Sequence, residues 1–486
     1  MIDRIRLSFA LSVSALIGGT IAACGDRYDT RALETEGSLA PSTPTPGGGT
    51  PNPAAPNTGT PNAGVPNNAS PGSDPEGTGA QPTGAEGPPN VGSIDMNTGA
   101  AGAGSGAADP GAGGAGTSPP EDTGEEPAPG EDPPIVEPPL TRQDGPCDIY
   151  AAANTPCVSA YSLVRALSRT YVGPLYQVRR GAPNALQNTG NGGQTQDIGI
   201  LPNGFADGPA QAAFCGNQTC TVSVLYDQSG QGNNLTVAKA GCYTGTASED
   251  DWESTTVSLR VGGSDVRGLF MEGHEGYRNN DAQNTPEGQD EAGVYEVAAG
   301  TGSRPLPPSG CCWNFGIASR DNCYGPTGMM HALFLGTAYW GRGAGNGPWF
   351  MGDFEAGVWA GGVRGQIDGS EPYDTNNNNP SMIMNFAFGI LKSRQNNYAL
   401  RMGDAQQGNL TTAYDGPTPN AMNGSWKMEG GIVLGIGGDN SNSSAGGTFF
   451  EGAITAGRPS DDTDEAVFRN VQAAGYGQWS SRGRST

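Results

Sequence analysis

No phenylalanine, tyrosine or tryptophan occurs between Tyr28 and Tyr150. That stretch consists largely of Pro, Gly, Thr, Ala, Asn and acidic residues, and it offers too little apolar surface to offset the entropy lost on ordering it. Folding is therefore confined to the C-terminal two thirds or so of the chain. Residues 144–480 read as one folded unit, residues 24–143 as a disordered, semi-extended tether, and residues 481–486 as a tail.

Ahead of the tether, Arg4 and Arg6 lead into an apolar run from Leu7 to Ala23. The run is short for a bilayer span of about 20 residues and has the form of an export signal. It ends in IAAC, residues 21–24, and small residues before a cysteine resemble the lipobox of bacterial lipoproteins. That resemblance implies removal of residues 1–23, acylation of Cys24, and a cell-surface or outer-membrane lipoprotein, or else a secreted protein. No later apolar run is long enough to cross a bilayer. A net charge of -24 argues against nucleic acid as a partner, because affinity there comes from Lys and Arg neutralising phosphates. A neutral polymer suits such a surface better.

Eight cysteines besides Cys24, in an exported chain, suggest disulfides. Cys147 with Cys157, and Cys215 with Cys220, would each close a short loop. Cys242, Cys323 and the adjacent pair Cys311 and Cys312 are then left, and spacing alone does not fix their connectivity. Zinc is a poor competitor, since CxxC pairs are absent and the histidines, His274 and His331, are far apart in sequence.

Helical spacing of Ala160, Leu163, Val164, Leu167 and Tyr171 predicts a helix in VSAYSLVRALSRTY. A second is predicted in TDEAVFRNVQAAGYG, with Thr463 as N-cap, Asp464 and Glu465 in the first turn and Gly475 as the stop. Most of the remainder reads as short strands between Gly, Asn, Asp and Pro clusters. The fold class is accordingly all-β, a sandwich of jelly-roll or concanavalin-like type with a few short helices.

Two acidic clusters carry the chemistry. If PWFMGDFEAGVW, residues 348–359, runs as one strand, Trp349, Met351, Asp353 and Glu355 share a face and Phe350, Phe354 and Val358 take the other. An isolated D-x-E pair is more often a solvated face, but Trp and Gly around it favour a sugar site, because indole faces stack on sugar rings. In LGIGGDNSN, a β-rich run delivers Asp439 beside Gly437 and Gly438, where a turn aspartate is the competing reading. Retaining glycoside hydrolysis needs a carboxylate and a carboxylic acid about 5–5.5 Å apart, and Glu355 with Asp439 can supply that pair.

At these residues the chain resembles a known family. CDIYAAANTPCVSAYSLVRAL, LYDQSGQGNNL, GYRNN, SGCCWNFG, GPWFMGDFEAG, LGIGGDNSN and GTFFEG occur in the order found in the catalytic domain of glycoside hydrolase family 54 α-L-arabinofuranosidases, from about Cys147 to Tyr476. The resemblance implies a β-sandwich enzyme that retains configuration and releases terminal arabinofuranosyl units from arabinan- or arabinoxylan-type polysaccharides. It implies Glu355 as nucleophile, Asp439 as general acid/base, Asp353 and Trp340 as sugar-binding residues, and Gly438 as a main-chain contact. It also implies a disulfide between Cys311 and Cys312 lining the sugar pocket. Cys242 and Cys323 look like additions to the usual set, read as a structural staple. Ala356 stands where the family usually has Asn, which removes one substrate hydrogen bond. The familiar members also carry a C-terminal arabinose-binding β-trefoil, which is not expected here. A monomer is expected, with membrane contact through the lipid anchor only and with no metal or organic cofactor. The alternatives are a lectin-like surface protein that binds sugar without cleaving it, or an exo-glycosidase for a β-xyloside or galactofuranoside.

Overall fold

Short runs bounded by turn residues, each with a face that must leave water, pair into two large antiparallel sheets, beside a small parallel pair of Arg342–Gly343 with Thr375–Asn376. The computed structural model describes residues 142–241, 249–301, 312–323, 330–337, 341–366, 370–422, 426–441 and 446–479. The nine-stranded sheet runs in the order Gln407–Pro417, Asn397–Asp404, Phe386–Arg394, Ala292–Ala299, Gly447–Ala456, Ser264–Met271, Thr255–Val261, Tyr476–Trp479, with Cys157–Ser162 also paired to Gly447–Ala456. The ten-stranded sheet runs Val358–Trp359, Trp349–Asp353, His331–Gly336, Asn314–Ala318, Gly431–Leu434, Tyr277–Asn279, Leu235–Val237, Cys220–Leu225, Tyr176–Arg180, Gln194–Ile198. The sandwich expected from the sequence is the architecture found.

The sheets meet across an aromatic interior. Gly389 and Gly452 of the first sheet make room for rings of the second: a Cβ at Gly389 would come within 2.7 Å of Phe350, and one at Gly452 within 2.6 Å of Phe315. Glu296 lies between these glycines in register. It is fully buried, neither carboxyl oxygen has a hydrogen-bonding partner among the described residues, and burial pushes its carboxyl well above the usual range. The neutral form is the one such a site tolerates.

The predicted helix over VSAYSLVRALSRTY is not formed, and Cys157–Ser162 is a strand instead. Every residue of that strand is buried, so both faces carry small or apolar side chains and helical spacing was satisfied by chance. The helix near the C-terminus spans Asp461–Ala473, and its N-cap is Ser460 rather than Thr463: the Ser460 side chain accepts the Thr463 amide. Gly475, at φ +75°, ends it as expected. Pro146–Ala152 and Gly208–Cys215 are helices that the sequence did not suggest. The Cys147–Cys157 and Cys215–Cys220 disulfides are present, with Cα atoms 5.5 Å and 5.8 Å apart.

A buried fork ties the segment after Cys157–Ser162 to the sheet. Arg165 Nε and Nη2 donate to the two oxygens of Glu451 at 2.8 Å each, and Nη1 donates to Asn470 at 3.0 Å. Arg165→Met strands the Glu451 carboxylate in the interior, and the expected loss is about 3–5 kcal/mol in urea unfolding. The double variant with Glu451→Gln should recover much of it; a single variant as stable as wild type would show that the pair is dispensable.

Candidate active site

Register places five residues in one row across the ten-stranded sheet: Asp353, Ala332, Gly316, Val433 and Arg278. Directly opposed residues share a face. This one is the outer face: Ala332 and Val433 pack with Ala238, Ala318, Met330 and Ile436, apart from the interior cluster that holds Phe315, Ile317, Leu333 and Leu335. An acid and a base thus stand at the two ends of a row of small residues. Four strand steps of about 4.8 Å put their backbones roughly 19 Å apart.

Glu355 does not sit on a strand. The chain from Trp349 to Trp359 is a hairpin, in which Asp353 faces Val358 and Gly352 faces Trp359, so the single-strand reading is corrected. Glu355 is left-handed at φ +66° and Gly357 has φ +143°; these two residues reverse the chain. In consequence Val358 packs with Trp349, Met351, Phe334 and Cys312, not with Phe350 and Phe354. The hairpin still brings the two acids together, because the Glu355 amide donates to Asp353 Oδ1 at 2.9 Å. Positive φ at a glutamate is uncommon and carries strain of the kind found at functional sites. Ala356, whose amide donates to Phe354 O, completes the turn.

Asp439 arrives from the opposite side. After Gly431–Leu434 the chain turns at Gly435, φ +83°, and doubles back over the outer face, where Ile436 packs on Ala318, Ala332, Val433 and Met330. This lays Gly438 against the hairpin tip: a Cβ there would come within 2.2 Å of Glu355 Oε2 and 2.8 Å of Met330 Sδ. Only glycine permits that approach. Asp439 follows, 5% exposed, with Oδ1 accepting the Ser441 amide at 2.9 Å. Ser441 Oγ in turn lies 3.5 Å from Cys312 Sγ.

Arg278 closes the row from below the loop. Its Nη1 donates to Gly438 O at 2.8 Å and Nη2 to Ser319 Oγ at 2.9 Å and Ser319 O at 2.5 Å; Nε donates to Asn280 at 2.6 Å. Burial pulls its pKa down to about 10, while the charges of Glu355, Asp321, Asp439 and Asp251 resist that fall, so it is a cation at neutral pH.

Burial is also the main influence on the acids. It pushes Glu355 well above the usual carboxylate range, the charges of Asp439 and Asp353 push the same way, and Arg278 pulls back. Burial lifts Asp353 to about 7, against the Glu355 amide and the Asn314 side chain, which both lower it. Between its ordinary 3.8 and about 7, the folded protein holds a proton on Asp353 that the unfolded chain has released, so stability falls as pH rises through that window. Asp353→Asn keeps an acceptor for the Glu355 amide and removes the titration. It should stabilise the protein at pH 7.5 by on the order of 1–3 kcal/mol more than at pH 4, by urea unfolding at both values. An equal difference at the two pH values would contradict this.

Of the residues singled out in the sequence, Glu355, Asp353, Ala356, Gly438 and Asp439 are brought together. Cys311, Trp340, Cys242 and Cys24 lie outside the described residues. Cys312 and Cys323 are both disulfide-bonded, and the pairing of Cys311 with Cys312 stays a proposal. His331 lies on the interior side, in a cluster with the rings of Phe354 and Trp426, and burial holds its pKa down at about 3. Among the described residues no group of three or more His, Cys, Asp or Glu side chains is placed to hold a metal ion. Arg278, Ser319 and Met330 were missed. The sole signal for Arg278 was its place in GYRNN, in a chain with few cations.

A sandwich that gathers Asp353, Glu355 and Asp439 at one end of an outer face, beside a buried arginine, belongs to the class of all-β proteins with a carboxylate-centred site. The chain itself is a member of the family described as alpha-L-arabinofuranosidase B, catalytic, whose model matches residues 146–477. It is 40% identical over 338 residues to a probable alpha-L-arabinofuranosidase B of Aspergillus fumigatus, covering 68% of this chain and 62% of that one. It is 39% identical over 337 residues to an arabinofuranosidase/B-xylosidase of Trichoderma koningii, covering 68% and 63%. The crystal structure of an arabinofuranosidase complexed with arabinofuranosyl-alpha-1,2-xylobiose is similar at a TM-score of 0.61 and 38% identity, over 69% of this chain and 66% of that one. The chain therefore spans just under two thirds of the length of these relatives.

Proposed function

We propose that the protein is a retaining, exo-acting α-L-arabinofuranosidase that removes terminal arabinofuranosyl units from arabinan- or arabinoxylan-type polysaccharides. The observation that carries this is the contact of the Glu355 carboxylate with Gly438, which sets Asp439, the next residue, within its electrostatic reach. Glu355 attacks the anomeric carbon while Asp439 gives its proton to the departing oxygen; Asp439 then takes a proton from a water whose oxygen attacks the anomeric carbon and breaks the bond to Glu355, which releases the sugar with configuration retained. Among the neighbouring charges, that of Asp439 most strongly opposes ionisation of Glu355, so acid and nucleophile are electrostatically linked. Asp353 binds sugar hydroxyls, and Trp340 and the Cys311–Cys312 disulfide line the pocket. The arabinofuranosyl ligand of the similar crystal structure supports the substrate class.

A panel of 4-nitrophenyl glycosides tests the reading. Release of nitrophenol from the α-L-arabinofuranoside, with retained product by NMR, is expected. No release from any sugar that binds would leave a lectin. The name of the Trichoderma koningii relative favours a second reading, turnover of the β-D-xyloside by the same site; a higher kcat/KM on that glycoside would make it the main activity.

The N-terminal segment makes the enzyme an exported lipoprotein, acylated at Cys24 and held off the membrane by the tether over residues 24–143. Cys24→Ser should move the protein from the membrane fraction to the soluble fraction; unchanged partition would end the lipobox assignment.

A further inference from the structure

Arg278 differs from the other arginines of like burial. Arg165 and Arg401 each bond a carboxylate directly, at 2.8 Å to Glu451 and 3.1 Å to Asp464. Among the described residues Arg278, 4% exposed, makes its hydrogen bonds to neutral groups: the carbonyls of Gly438 and Ser319, the Ser319 hydroxyl and the side-chain oxygens of Asn280 and Asn440. A buried cation without a contacting anion is costly, and a purely structural arginine gains nothing from that arrangement. Its compensation comes through space, from Glu355 on the hairpin, Asp439 on the folded-back loop, Asp321 after the Asn314–Ala318 strand and Asp251 before Thr255–Val261.

Both ends of this side chain bear on the chemistry. Ser319 Oγ donates to Gly438 O at 3.1 Å as well, so the carbonyl next to Asp439 is held from two directions and the loop is fixed in height above the sheet. Glu355, meanwhile, feels the charges of Asp439, Asp353 and Asp321, and among the described charges acting on it Arg278 is the one that favours its anion. We propose that Arg278 is a positioning residue for the hydrolytic reaction: it clamps the Asp439 loop against Glu355 through the Gly438 carbonyl, and its charge stabilises the carboxylate form of the nucleophile. This rests on Glu355 being that nucleophile.

The two functions separate by substitution. Arg278→Met removes fork and charge; Arg278→Lys keeps the charge but cannot span Gly438, Ser319 and Asn280 together. The readouts are kcat, KM and the low-pH limb of kcat/KM, which reports ionisation of the free enzyme's nucleophile. Without the cation Glu355 ionises less readily, so in Arg278→Met that limb should move up by about one pH unit and kcat/KM at pH 5 should fall by roughly 100-fold. In Arg278→Lys the limb should stay within about 0.3 unit, with kcat down about 10-fold and KM within about threefold. A folded Arg278→Met variant with an unmoved limb overturns the electrostatic role. Wild-type kcat in Arg278→Lys overturns the clamp, and this variant decides should Arg278→Met fail to fold. Glu355→Gln, assayed alongside, separates the levels: if it turns over normally the nucleophile assignment falls, whereas an inactive Glu355→Gln with wild-type behaviour at Arg278 sinks only this inference.

Discussion

Glu355→Gln is expected to lower kcat by on the order of 10⁴-fold or more while leaving substrate affinity within a few-fold of wild type. The amide occupies the same volume, so the contact with Gly438 survives and the backbone bond from Glu355 to Asp353 is untouched. What is lost is the anionic oxygen that would form the glycosyl-enzyme. Steady-state kinetics on an aryl arabinofuranoside, with calorimetric binding of an arabino-oligosaccharide, check both halves. Near-normal turnover would refute the nucleophile; loss of binding along with turnover would instead report damage to the hairpin.

Asp439→Asn should separate substrates by leaving group. The carboxamide oxygen of that variant can still accept the Ser441 amide as Asp439 Oδ1 does, so the loop keeps its form. Departure of a sugar alcohol needs a proton, and kcat/KM on an arabinoxylan oligosaccharide should fall by about 10²–10⁴-fold. Departure of dinitrophenolate needs almost none, so the first step should survive, the covalent intermediate should accumulate, and a burst of phenolate should precede a slow steady state. Azide, which attacks without base assistance, should restore turnover and give a glycosyl azide of retained configuration. Equal losses on both substrates, with no azide effect, would remove Asp439 from the acid/base role.

The fold was legible where the pattern is locally decisive. GVYEVAA, WNFGIAS and GTFFEGAIT read as strands because β-branched and aromatic residues lie between turn clusters, and each contains a strand of the sandwich. CVSAYS misled because every position is buried, which erases the contrast that periodicity depends on. Ser460 was passed over as N-cap because Thr463, three residues on, has the same capping chemistry. In the site, Glu355 stood out through its D-x-E spacing with Asp353 among Trp and Gly, and Asp439 as an acid directly after two glycines. Their means of meeting did not, since a left-handed glutamate and a loop folded back on its own sheet are tertiary facts with no short-range signature. Arg278 was illegible for a related reason: the groups it bonds are carbonyls and neutral side chains contributed by Ser319, Gly438, Asn440 and Asn280, three of them distant in sequence.

The small side chains beneath Ile436 act as a shim. In the proposed mechanism the nucleophile is borne by the hairpin and the acid by a separate loop whose Ile436 clusters with Ala318, Ala332 and Val433, so the gap between the two carboxyls depends on how thick that layer is. Retaining and inverting glycosidases differ in that gap by only a few ångströms, about 5–5.5 Å against 6.5–9.5 Å. A bulkier residue at Ala332 is expected to lift the loop and widen that gap, which would admit a water molecule between Glu355 and the sugar that the mechanism places there. On that mechanism the handedness of the product would depend on the methyl group of Ala332, set in the layer beneath the loop.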